Sequence, residues 1–127
     1  MIDKKDVLSI HKILIEKYGG KLRLRDDGAL DSAINRPYGT FDGQEFYSSP
    51  IKKAAAILES LVINHPFIDG NKRIGYVMMR LILLNSHIDI EATEEEKYNF
   101  VIGVASGIIK YEEIEFTALP DACPAFF

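Results

Sequence analysis

The chain holds one cysteine, Cys123, in 127 residues. An internal disulfide is therefore excluded, and the cysteine usage is compatible with the cytosol. An excess of positive charge is missing as well: 15 Lys and Arg stand against 19 Asp and Glu, a net charge of −4. That balance argues against a protein that binds nucleic acid by bulk electrostatics. Long apolar runs are also lacking. The longest, around Ile74 to Leu84, is broken by Gly75, Tyr76 and Arg80, so no membrane span is expected. The first residues mix acids and bases in a helical pattern and do not read as a signal peptide. Repeats, linkers and low-complexity tracts are not found, and the expectation is one domain over residues 1–127.

Apolar residues make up 47% of the chain, enough for a globular core. Their spacing is mostly helical. Asp3 caps a first helix with Val7, Ile10, Leu14 and Tyr18 on one stripe, and Gly19-Gly20 ends it. His11 falls one position off that stripe and reads as a structural or surface histidine. Lys21, Arg23 and Arg25 then alternate with Leu22 and Leu24, as in a brief extended segment with solvated charges; a contact with a nucleotide or partner is the alternative. Asp26 or Asp27 caps a short helix with Leu30, Ala33 and Ile34, closed by Pro37. In residues 38–49, Asp42-Gly43 signals a hairpin turn, with Phe41, Phe46 and Tyr47 around it. Such a hairpin could hold an extended segment by edge pairing, or be a plain connector with its rings in the core.

Ser49-Pro50 opens a helix carrying Ile51, Ala54, Ala55, Leu58, Leu61 and Val62, and Pro66 ends it at His65. A second helix follows from about Asn71 to Asn85-Ser86 and is apolar nearly all round, which implies burial on most sides. His87 beyond it reads as a loop histidine, a weak metal candidate at most. Thr93 and Glu96 form a capping box for a helix through Phe100, Val101, Val104 and Ile108, in which Gly103 and Gly107 imply close approach of another helix. An acidic segment, Tyr111 to Glu115, leads to a tail from Thr117 to Phe127 that Pro120 and Pro124 make irregular. The expected fold class is all-α, with about six helices and one short flap hairpin.

The informative stretch lies between the two central helices: His65-Pro66-Phe67-Ile68-Asp69-Gly70-Asn71-Lys72-Arg73. The free amides of a helix N-terminus near Gly70 to Arg73 suit a phosphate. Gly70 has no side chain to obstruct its approach. Lys72 and Arg73 add positive charge where the helix dipole opposes it, which suggests an anion that compensates both. Taken singly, Asp69 could be a plain N-cap, Lys72 and Arg73 solvated first-turn residues, and Phe67 a core anchor. Together they form a phosphoryl-transfer layout. His65 is the side chain able to serve as general base near neutral pH. Asp69 offers a hard oxygen to Mg²⁺. Asn71 can hydrogen-bond phosphate, Lys72 is a point charge, and Arg73 can clamp two oxygens. Zinc hydrolysis is remote, since His65 and Asp69 have no obvious third ligand.

This stretch resembles the signature of the Fic/Doc superfamily, and its Asn71-Lys72-Arg73 ending is similar to the Doc branch; typical Fic AMP-transferases carry Gly where Lys72 stands. Arg25-Asp26-Asp27-Gly28-Ala29-Leu30, Ser32-Ala33 and Arg36-Pro37 resemble the approach to that signature, so the likeness runs from about Gly20 to Asn85 and leaves the last twenty residues unmatched. The resemblance implies a toxin kinase using ATP and Mg²⁺, with His65 as base, Asp69 as metal ligand, and Asn71, Lys72 and Arg73 as phosphate anchors beside Gly70. It implies a protein substrate in the translation machinery, elongation factor Tu being the family's known target, and a small antitoxin that binds and silences the enzyme in the cytoplasm. Direct nucleic-acid or membrane binding is not implied. The hairpin corresponds to the family's flap over the active site. The self-inhibitory pattern of some members, Ser/Thr-x-x-x-Glu-Gly/Asn, has no match: neither Ser86 nor Thr93 has Glu four residues later. The alternatives are an AMP-transferase on the same fold, or an idle binding module in which the motif merely caps a helix.

Overall fold

The computed structural model describes residues 2–117 and 122–124. In chain order these form α1 (Lys4–Tyr18), α2 (Asp27–Asn35), a 3₁₀ turn (Arg36–Tyr38), the hairpin β1 (Thr40–Phe41) and β2 (Gln44–Glu45), α3 (Pro50–Asn64), α4 (Asn71–Asn85), β3 (Ile88–Ile90), α5 (Glu94–Ala105), α6 (Tyr111–Thr117) and β4 (Ala122–Pro124). The described residues thus give six α-helices and the expected hairpin, an all-α architecture. No helix among them is long and apolar enough to cross a membrane.

Local chemistry accounts for the helix starts. Asp3, Asp26, Ser49 and Thr93 each accept a hydrogen bond from a first-turn amide, and Glu96 completes the capping box on Thr93. In the hairpin, Asp42 and Gly43 both have positive φ, the backbone of a two-residue turn whose twist matches the flanking strands. Phe41 and Phe46 are exposed rather than buried. Tyr47 turns inward, accepts a hydrogen bond from Arg36 Nε at 2.9 Å, and so ties the base of the hairpin to the 3₁₀ turn. Arg36 also reaches Glu59 and Ser60. Burial works against its charge, but the bonds to Tyr47 and Glu59 outweigh that, and the guanidinium holds its proton more tightly than usual.

The centre of the molecule is α3. Ala54, Ala55, Ala56, Ile57, Leu58, Leu61 and Val62 are all fully buried. Their run of small side chains lets α2, α4, α5 and α6 pack around one helix. The most extensive contact is with α4, where Gly75 faces Val62; a Cβ at Gly75 would lie 2.9 Å from Val62 Cγ1. The expectation that α4 is buried on most sides is corrected here. Lys72, Arg73, Arg80 and Leu81 lie on an exposed face, because α4 is an outer helix packed against α3. The buried stripe of α1 is Val7, His11 and Ile15, with Tyr18 half exposed, so His11 occupies a core position instead of flanking one.

Further differences concern the C-terminal third. The helix α5 stops at Ala105; Gly107 lies beyond it at φ +81°, a left-handed turn residue. The close neighbour of Gly103 is Ile109 from the following turn, not another helix. Tyr111–Thr117 is helical where only an acidic segment was expected. Within the supposedly irregular tail, β4 pairs antiparallel with β3, Asp89 opposite Cys123. Phe126 and Phe127 lie outside the described residues.

β3 is tied to α4 by Arg80, which donates from Nε and Nη2 to both oxygens of Asp89 at 2.9 Å. The bond from Arg80 holds the Asp89 carboxyl below the usual carboxylate range. A depressed native value means that the stabilisation is present at neutral pH and is lost as pH falls below the ordinary ~3.9 and through the native value. Because Arg80 is 44% exposed, solvent screening limits the effect. Asp89→Ala is expected to cost about 2 kcal/mol near pH 7 and progressively less in acid, as read from urea unfolding across pH. A pH-independent difference would show that packing, not the ion pair, holds β3.

Candidate active site

Six residues, His65 to Gly70, reverse the chain between α3 and α4. The reversal begins at His65, which adopts left-handed φ 48°, ψ 59° as the C-cap of α3. A non-glycine residue in this region carries strain that its surroundings must offset. Arg25 does so. Its Nε donates to the His65 carbonyl and its Nη2 to the Asn64 carbonyl, both at 2.6 Å, capping the helix end with a cation. Arg25 is exposed, as its alternation with leucines suggested, but its guanidinium is also bonded to the helix carbonyls.

The same segment is paired to the loop along its length. Leu24 and Phe67 form an antiparallel bridge, Arg25 and Asp26 N–H both donate to the Pro66 carbonyl, and Ile68 N–H donates to the Arg23 carbonyl. A second clamp is internal. Asn71 accepts from Phe67 N–H and donates to the Phe67 carbonyl, both at 2.9 Å, with its side chain buried. The expectation of Asn71 as a phosphate partner shifts accordingly: its amide serves the loop first, and its backbone N–H faces the helix start.

At that start Gly70 sits at φ 83°, ψ 11° and offers no side-chain cap. The first helical bond runs from Ile74 N–H to the Gly70 carbonyl. The N–H groups of Asn71, Lys72 and Arg73 thus precede the ladder and have no intrahelical acceptor. A row of unpaired amides at the positive end of a buried-faced helix can take phosphate oxygens. Asp69 is not the N-cap. Its Oδ2 instead accepts Lys21 N–H at 2.8 Å, and Gly20, at φ +112°, allows this approach: a Cβ there would stand 3.0 Å from Asp69 Cβ.

The predicted residues are therefore placed as follows. His65 is exposed at one lip, and its ring has no hydrogen bond among the described residues. Asp69 is half buried, Gly70 bares the helix end, and Lys72 and Arg73 are exposed in the first turn. Arg73 rests over the Tyr18 ring, its guanidinium carbon 4.8 Å from the centroid. His87 is exposed and remote in sequence from this loop. No group of three His, Cys, Asp or Glu side chains able to hold a metal occurs among the described residues. One hard carboxylate oxygen is nevertheless what Mg²⁺ uses when phosphates and water complete its shell, so Asp69 fits that ion and does not fit structural zinc.

Four residues shape this site in ways their sequence reading did not specify: His11, read as structural or surface, Tyr18, read as part of a stripe, and Lys21 and Arg25, read as solvated charges or a nucleotide or partner contact. For His11 the signal was present, since Val7, His11 and Ile15 recur every four residues. A cavity of about 170 Å³ lies elsewhere, lined by Arg36, Ser60, Asn64, Ile109 and Lys110 among others. Ile63 and Asn64 of its lining adjoin His65, and none of Phe67 to Arg73 lines it.

Asn71→Leu keeps the volume but strands Phe67 N–H and C=O in a buried loop. It is expected to lower stability by about 3 kcal/mol in equilibrium unfolding. A loss below about 0.5 kcal/mol would show that the clamp contributes nothing.

Comparison with known proteins agrees with this geometry. The family model described as Fic/DOC family matches residues 1–83, which include α1, the hairpin, the loop and most of α4. Toxin Doc of Mycolicibacterium smegmatis is 44% identical over 75 residues, 59% of this chain and 55% of that protein. The chain spans about half the length of that curated relative. With the family model covering well over half of the sequence, and the histidine, the bare helix end and its two cations in place, the chain belongs to the Fic/DOC family.

Proposed function

We propose that this chain is a Doc-like toxin kinase that transfers the γ-phosphate of ATP to a hydroxyl of a protein in the translation machinery. The observation that carries the reading is the first turn of α4: three backbone N–H groups without intrahelical acceptors, flanked by Lys72 and Arg73 and facing a loop that presents an exposed His65. The reaction in this reading is an in-line displacement. His65 takes the proton of the attacking hydroxyl, the oxygen–γ-phosphorus bond forms, the bond from γ-phosphorus to the β–γ bridging oxygen breaks, and ADP leaves. The amides of Asn71 to Arg73, with the Lys72 and Arg73 side chains, hold the charge that spreads over the transferring group. Asp69, steadied by Lys21 N–H, would hold Mg²⁺, which when bound neutralises phosphate charge.

Lys72 is the residue that favours phosphate over AMP transfer. Glycine at this position leaves room for a phosphate chain to run deep and bring the α-phosphorus to the histidine. Lysine occupies that room and adds a charge at its edge, so the nucleotide enters with its γ-phosphate nearest His65. The likeness to Toxin Doc supports a toxin; in this reading it is restrained by a small antitoxin protein, acts in the cytoplasm and has elongation factor Tu as its target. The exposed Phe41 and Phe46 of the hairpin are suited to hold a segment of that target.

The test uses purified protein, elongation factor Tu or a bacterial lysate, and ATP labelled separately at the α and γ positions. Label from the γ position alone is expected on protein; label from the α position would instead establish AMP transfer, and neither would support an inert binding module. His65→Ala is expected to keep its unfolding midpoint, because His65 is exposed, and to lose at least about 100-fold in transfer. Lys72→Gly is expected to abolish γ-transfer. A His65→Ala protein that retains most of its rate would remove the histidine from the mechanism.

A further inference from the structure

His11 lies in the middle of α1, 1% exposed, 58 residues from the loop it touches. Its ring is stacked on Phe67 with centroids 3.7 Å apart and planes 11° from parallel. Its Nε2 lies 2.7 Å from the Asp69 carbonyl oxygen. A carbonyl can only accept, so Nε2 carries the proton and donates. The same ring packs against Gly70, where a Cβ would meet Nε2 at 3.2 Å and Cδ2 at 3.4 Å. One buried imidazole therefore touches three residues of the loop: the core anchor, the carboxylate-bearing residue and the residue that bares the helix end.

We infer that His11 is a positioning residue for the anion cradle, its Nε2–H fixing the Asp69–Gly70 peptide and so the direction of the first free amides of α4. A buried aromatic of any kind would supply the stack on Phe67. Only a donor at the Nε2 position satisfies the Asp69 carbonyl, a buried-side acceptor for which no other partner exists among the described residues. With Lys21 N–H on the carboxylate, Asp69 is held by α1 at its backbone and by the α1–α2 connection at its side chain. α1 thereby becomes half of the active site without contributing a group that reaches the substrate. Tilting the peptide would move Asp69 and the cradle together, and displacements of this kind are worth about 100-fold in rate.

The variants separate the two roles of the ring. His11→Phe keeps the volume and the stack and loses the donor; His11→Gln places an amide N–H near the Nε2 position; His11→Asn is too short to reach. Long-range ¹H–¹⁵N correlation on the unmutated full chain is expected to show the Nε2–H tautomer, and the Nδ1–H tautomer would overturn the inference. Amide exchange of Lys21, Phe67 and Ile74, whose N–H groups are bonded to Asp69, Asn71 and Gly70, is expected to rise about tenfold in His11→Phe, or in His11→Asn if the first does not fold, while amides of α3 stay protected and His11→Gln restores the loop. The γ-phosphate transfer to elongation factor Tu is expected to fall about 100-fold in His11→Phe and to recover within about tenfold in His11→Gln. This last readout rests on the kinase reading above, and the first two do not. A loosened loop in a chain that transfers nothing would uphold the role of His11 and remove the reaction. An active chain whose loop and rate are both indifferent to His11→Phe, or equally harmed by Phe and Gln, would overturn the role.

Discussion

The whole arrangement depends on turning the chain between α3 and α4 within six residues while leaving the first amides of α4 unpaired. A short reversal that bares backbone donors has no stability of its own, since every group it fails to satisfy must be solvated or bonded elsewhere. The molecule solves this from outside the turn. Arg25 caps the carbonyls on the α3 side, Asn71 ties Phe67 to itself, and Leu24 runs antiparallel along the middle. His11 and Lys21 hold Asp69 from the α1 side. What is left without a partner is the part of the loop that the proposed transfer would use.

Rigidity at this point comes from the core beneath it. The middle of α3, Ala54 to Leu58 with Leu61 and Val62, is covered by its neighbours, and Gly75 lets α4 lie close against Val62. Close packing of this kind has few alternative arrangements, so the relative position of the two helix ends is set by the interior. The loop inherits that precision. A site whose work is positioning charge gains more from a stiff base than from any single added contact. Meanwhile His65, Lys72 and Arg73 remain at the surface, where a protein hydroxyl can reach them.

The tertiary contacts also change the meaning of individual charges. Arg23, Arg25 and Lys21 look alike as a basic alternation, yet Arg25 is spent on helix carbonyls and Lys21 contributes its backbone rather than its ammonium. Arg73 rests on Tyr18, an aromatic at the far end of another helix. Arg80 appears in sequence as an interruption of an apolar run and in the fold as the anchor of β3 through Asp89.

Sequence alone determined where α1 to α5 start, the N-caps of four of them and the hairpin turn. These are local matters: a capping oxygen, a proline or an Asp-Gly pair acts on residues within four positions, and an N-terminal cradle is written in consecutive residues. The signature from His65 to Arg73 was legible for that reason as a mark of the family. The role of His11 was not, although its spacing with Val7 and Ile15 was visible, because its acceptor lies 58 residues away and only folding brings the two together. The pairing of β3 with β4 and the exposed face of α4 escaped for the same cause. Asn71 shows the division most plainly. Its amide suits phosphate and loop equally by chemistry, and the tertiary structure gave it to the loop because a buried Phe67 backbone had no other partner.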